Sequence, residues 1–196
     1  MKKAVKLFFK HPTGKPINLN GGQYGADRPN GRTHKGLDYK APIGTEVKAS
    51  ESGMVVKSEN KPYMPGGDNN YGETIVIEHV PYDLLGPADV LKNQRHIYTL
   101  YAHLDKRFVS SGKRVRQGEI IGKSGNSGMK VFYEGKKSGF HLHFEVIDSA
   151  TKMDWNMGWP SENRKNPIDY LDPIITTVDY ELPDDKETGI GMGFSI

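Results

Sequence analysis

Six short strand-like runs recur along the chain, at 46–49, 54–58, 74–78, 97–104, 119–123 and 140–147, and in the last apolar and polar residues alternate. Successive side chains of an extended backbone point to opposite sides, so each run predicts a strand with one face for a core. Between the runs lie clusters rich in Gly, Pro and Asn, at 21–31, 61–72, 80–95 and 125–139. These predict turns and loops, and loops of more than about 12 residues in a compact domain are usually functional or disordered. Helical periodicity is scarce; residues 88–93 and 167–171 each suffice for one short turn of helix. No internal repeat is present. The pattern predicts a mainly β chain: an antiparallel β-sheet or sandwich core with few short helices and long loops.

Composition narrows the chemistry. A chain of 196 residues suits one domain, and 23 Gly with 12 Pro fit many strand turns. There is no Cys, which removes disulfides, a thiolate nucleophile and a thiolate-ligated metal site. Any metal must be held by His, Asp or Glu. The net charge of +3 is unevenly spread. Asp179, Glu181, Asp184, Asp185 and Glu187 face only Lys186 in the last 24 residues, a net charge of −4 that leaves +7 on the rest. The expected organisation is a single domain over residues 1–172 with an extended or mobile acidic extension over 173–196. The basic body suits an anionic polymer such as a cell wall, or simply solubility.

Of the seven histidines, two spacings stand out: His34-x-x-x-Asp38 and His141-x-His143. Alternation through 140–147 places His141, His143 and Glu145 on one face, opposite Leu142, Phe144 and Val146. His34 and Asp38 lie an even number of residues apart, and Gly36 between them disfavours a helix, so an extended chain aligns them as well. In 97–104, alternation puts His103 with Thr99 and Tyr101, opposite Tyr98, Leu100 and Leu104. A single such histidine is most often a satisfied core or surface residue. Several imidazoles with a carboxylate on polar strand faces suit zinc, iron or manganese.

These residues sit in blocks whose order is specific: GADRPNGRTHKGLDYKAPIGTEVKAS, SGMVV, TIVIEHV, YTLYAHL, VRQGEIIGKSGNSG, GFHLHFEV and a closing NPIDYL. Across residues 20–172 the chain resembles the LytM/lysostaphin-type zinc metallopeptidases of bacterial peptidoglycan. The resemblance implies an antiparallel sheet with a loop-walled groove and one zinc ion on His34, Asp38 and His143. It implies His141 as catalytic base and His103 as a second catalytic histidine, the two roles being interchangeable at this stage. Glu145 is expected either to orient a ligand ring or to be an ordinary strand carboxylate, and His79 to be structural or to line the groove. His96 falls in an insertion, His11 is expected to be exposed, and Tyr24 and Arg28 are expected to line the groove. Gly36, Gly44, Gly53, Gly118, Gly122 and Gly125 read as turns and bulges. The family includes enzymes for glycine bridges and for D-alanyl–diaminopimelate links.

The expected partner is peptidoglycan, with no nucleic acid, no membrane span and a monomeric state. The start MKKAVKLFFK is interrupted by Lys6 and Lys10 and does not read as a secretory signal. The expected setting is therefore a phage lysin or virion component, or a bacterial envelope protein exported by another route. Three rival readings remain: an inactive family member that binds the wall or activates a partner, a non-haem iron enzyme with the same ligand types, and a biotinyl- or lipoyl-type carrier. The carrier needs a lysine at a hairpin tip, whereas Lys123 falls at a strand end.

Overall fold

A computed structural model describes residues 9–14, 21–28, 31–61, 71–79, 96–129, 132–133, 136–137, 139–155 and 163–172. The strands are β1 (Asp27–Arg28), β2 (Arg32–Thr33), β3 (Leu37–Tyr39), β4 (Glu46–Lys48), β5 (Gly53–Lys61), β6 (Gly72–His79), β7 (His96–Arg107), β8 (Arg114–Val115), β9 (Ile120–Ser124), β10 (Phe132–Tyr133), β11 (Lys136–Lys137), β12 (Leu142–Ser149) and β13 (Arg164–Lys165). Nine of them form one antiparallel sheet whose main path runs β13-β12-β7-β6-β5-β8. β3 also pairs with β12, and β9 joins β4 to the far half of β7. The mainly β, antiparallel architecture is the one the strand-like runs predict, and each of the six runs overlaps a strand. Among the described residues no helix is long and apolar enough to cross a membrane.

The Gly/Pro-rich clusters hold more order than loops would. β1 lies in the first and pairs with β2; β10 and β11 form a two-stranded ribbon within the last. Residues 167–171 contain a 3-10 turn, Pro167–Asp169, where the Asn166 side chain accepts from the Ile168 N–H. The helical turn expected at 88–93, most of the clusters 61–72 and 80–95, and the acidic extension lie outside the described residues.

The long strands β7 and β12 cross the centre, and both of their faces are covered. On one face Tyr101, Phe144 and Val146 join Leu37, Tyr39, Ile75, Ile77 and Ile121 in the main core. On the other, Tyr98, Leu100, Ala102 and Ile147 pack with Val76, Tyr71 and Trp155. Strand alternation delivers both faces, because Phe144 lies opposite Tyr101 and His143 opposite Ala102. His11 is buried in this core, at 4% exposure, rather than exposed. Its Nδ1 pairs with the Tyr39 hydroxyl at 2.8 Å. His79 is structural, as one of its two expectations had it: its ring nitrogens meet the Ser52 carbonyl and the Thr99 hydroxyl.

Candidate metal centre and active site

Three strands converge on the site. β3 pairs with the start of β12 and sets Asp38 opposite His143. The β1–β2 ribbon continues to His34, whose N–H donates to the Ala26 carbonyl while its own carbonyl accepts from the Gly25 N–H. Gly36 lets β3 lie close against β12. A Cβ there would stand 2.5 Å from the Phe144 carbonyl oxygen and 2.8 Å from the His143 ring. Gly36 and Gly53 are therefore close-approach positions rather than turns, whereas Gly44 and Gly118 turn the chain with positive φ.

Asp38 Oδ1 lies 2.8 Å from His143 Nδ1 and 3.1 Å from His34 Nε2, and the two nitrogens are 3.0 Å apart. All three side chains are buried. The outer nitrogens already have acceptors: His34 Nδ1 meets the Gln23 carbonyl at 2.9 Å, and His143 Nε2 meets Glu145 Oε1 at 3.0 Å. A neutral ring with its N–H on that outer acceptor turns a lone pair inward, toward the Asp38 carboxylate. In the neutral rings two lone pairs and an anionic oxygen lie about 3 Å apart, an arrangement that either a proton on an inner nitrogen or a metal ion among the three relieves. Donors about 2.0–2.1 Å from a tetrahedral zinc ion have a similar mutual separation, so the donor set fits such an ion.

Burial alone would raise the Asp38 carboxyl, but hydrogen bonds from His143 and His34 outweigh it and hold it well below the ordinary range. Burial pulls His143 down, yet Asp38 and Glu145 overcome that and raise it to about 9. At neutral pH a metal ion therefore competes with a proton at this nitrogen.

His103 and His141 stand beside the triangle. Their rings are 4.8 Å apart, and His103 is 5.9 Å from the His143 ring. His141 Nε2 lies 3.7 Å from Asp38 Oδ1. Both rings use Nδ1 on a backbone carbonyl, that of Gly139 for His141 and that of Ser127 for His103. Desolvation is the main reason both titrate lower than a free imidazole, so each is neutral near pH 7 with Nε2 bare.

His103 does not follow strand alternation. Its φ is 60°, and β7 bulges there: Tyr101 and Leu104 pair with Ile75 and Glu73, so two residues of β7 face Thr74 alone. The left-handed residue resets the phase. Leu104 enters the core beside Tyr101, and His103 turns to the His143 face, opposite to the face alternation assigns it. A non-glycine residue held this way costs about 1–3 kcal/mol. The surroundings hold it in place: its N–H donates to the Tyr71 carbonyl at 2.8 Å, and Ser127 Oγ donates to the Leu104 carbonyl.

Glu145 orients the ligand ring and is fully buried. Its other contacts are residues the sequence did not flag. Tyr71 donates its hydroxyl to Oε1 at 2.7 Å, and Arg164 donates Nε to Oε2 at 2.6 Å. Tyr71 also lays its ring 5.7 Å from that of His143. Arg164 follows no motif, and only its place opposite Ile147 on β13 brings it here. Of the expected groove residues, Arg28 reaches Asp38 Oδ2 at 2.8 Å and Tyr24 donates to the Arg164 carbonyl. His96 stands apart, at the start of β7, with Nδ1 on Glu78.

The model of peptidase family M23 matches residues 32–155, well over half of the chain. The chain belongs to this family. Among M23 relatives, it is 35% identical over 114 residues to the peptidoglycan DD-endopeptidase ShyA of Vibrio cholerae, covering 58% of this chain and 20% of that protein. The chain thus spans about a fifth of that relative's length. Two solved structures share the fold at a TM-score of 0.52: LytU, at 26% identity over 84% of this chain and 88% of that one, and the catalytic domain of lysostaphin from Staphylococcus simulans, at 25% over 82% and 93%. The five residues singled out in the sequence, His34, Asp38, His103, His141 and His143, thus come together within the M23 match.

Proposed function

We propose that this M23 domain is a zinc-dependent endopeptidase that hydrolyses peptide bonds in bacterial peptidoglycan. The carrying observation is the inward convergence of His34 Nε2, Asp38 Oδ1 and His143 Nδ1, with two further imidazoles alongside. The ion's contribution when bound is Lewis acidity, which polarises a carbonyl and brings the pKa of a water at the open position to about 7. His141 is the base: its bare Nε2 is the one near Asp38 Oδ1, and it takes the proton of the attacking water and passes it to the departing amine. His103 Nε2 accepts a second hydrogen bond from that water and fixes its direction. Glu145 keeps the Nε2 proton of His143, so Nδ1 is the atom offered inward.

The greater similarity to a relative named a DD-endopeptidase favours cross-links between stem peptides over glycine bridges. Digestion of purified peptidoglycans of both cross-bridge types, with mass spectrometry of the fragments and metal analysis of the protein, tests the reading. Release of new amine termini with one zinc per chain is expected. Intact sacculi with a zinc-loaded protein, or iron in place of zinc, would overturn it.

A further inference from the structure

Arg28 is half-buried at the edge of the site, and its guanidinium holds Asp38 Oδ2 at 2.8 Å. The β1–β2 ribbon fixes how it gets there. Arg28 lies opposite Arg32, and Ala26 lies opposite His34 through their backbone hydrogen bond. Residues 26, 28 and 34 therefore share one face of the ribbon, and Arg28 and His34 approach the same carboxylate from it. The two oxygens of that carboxylate are divided: Oδ1 meets the two ligand imidazoles, while Oδ2 takes the guanidinium.

A carboxylate with both oxygens free can bind a metal through either one or both. Two-oxygen binding would fill the position that a catalytic site with three protein ligands keeps open. A charge-assisted hydrogen bond to an arginine is strong and directional enough to hold one oxygen back. We propose that Arg28 is a positioning residue that keeps Asp38 a one-oxygen ligand and so keeps the fourth coordination position open. This rests on the reading of the triangle as a metal site.

The test uses the protein loaded with cobalt(II), whose visible d–d band is strong in four-coordinate sites and weaker when coordination expands. Arg28→Met removes the donors and keeps an apolar stem; Arg28→Lys returns one N–H donor. Arg28→Met is expected to weaken the band in the absence of substrate and to lower kcat with little change in KM, with circular dichroism unchanged. Arg28→Lys is expected to restore most of both. A full-strength band in Arg28→Met with raised KM would overturn the proposal and make Arg28 a substrate contact. An unchanged band with unchanged kinetics would also overturn it and leave a surface ion pair. No four-coordinate band in the parent protein would instead mean that the metal site itself had been misread.

Discussion

The two faces of the central sheet are each lined by buried histidines, and they use them in opposite ways. On the core face, His79 places one nitrogen on the Ser52 carbonyl and the other on the Thr99 hydroxyl, which lies 3.0 Å from the Tyr101 hydroxyl. That ring is closed: both nitrogens end on partners of the fold. On the site face, His34, His103, His141 and His143 each give one nitrogen to the fold and turn the other toward a common centre. Burial therefore does not separate a structural histidine from a working one; the direction of the second lone pair does. Within the site face the partners differ again. A carboxylate backs His143, which would strengthen it as a donor to metal, whereas His103 and His141 rest on carbonyls and burial keeps them weaker bases than a free imidazole.

The sharpest break in this contrast is Asp38→Ala or His143→Ala. Either is expected to abolish zinc binding, measured as bound metal, and to reduce wall hydrolysis to background. Next, His141→Ala and His103→Ala are expected to cost about 10²–10⁴-fold in hydrolysis while zinc stoichiometry stays near one. Full activity of the His141 variant would refute the division of roles. Gly36→Ala is expected to weaken zinc binding by about 10- to 100-fold, the usual result of disturbing a ligand's support, because the new Cβ meets the His143 ring and the Phe144 carbonyl. Isothermal titration of metal into the apo protein would show it, and parental affinity would mean that β3 yields without moving the ligand.

The smallest effect concerns the core face. Burial lowers His79 and His11 from 6.5 to about 4, so the folded protein binds fewer protons than the unfolded chain between these values. These two histidines are expected to add no pH dependence above about pH 6.5 and to lower stability as pH drops toward 4. Each histidine accounts for up to about 3 kcal/mol at the acid limit. His79→Leu should flatten that acid limb in denaturant titrations, whatever it does to the midpoint. An unaltered slope would show that His79 is not held neutral.

Much of this was legible in the sequence. Short apolar runs between Gly/Pro-rich clusters mark six of the strands, and alternation in the last run places His143 and Glu145 opposite the core residues Leu142, Phe144 and Val146. What alternation could not place was His103, because one left-handed residue resets the phase of everything after it, and no residue type announces that. His11 was misjudged since its burial depends on Tyr39, 28 positions away. Tyr71 and Arg164 were missed for the same reason: their link to Glu145 spans 74 and 19 positions and follows from strand pairing, not from a local motif. Gly36 was seen as a turn former when its work is to let two backbones touch.

The first and last described segments meet. Phe9 bridges Leu171 in parallel, with the Phe9 N–H on the Tyr170 carbonyl and the Asp172 N–H on the Phe9 carbonyl. Phe9 also packs on His79, which lies opposite Ile97, while His143 lies opposite Ala102. Five residues of strand at about 3.4 Å each make that roughly 17 Å of separation. The domain is thus gripped at one heel and works at its toe. Joining positions 9 and 172 by a short linker and reopening the chain at another surface turn is expected to leave the site intact.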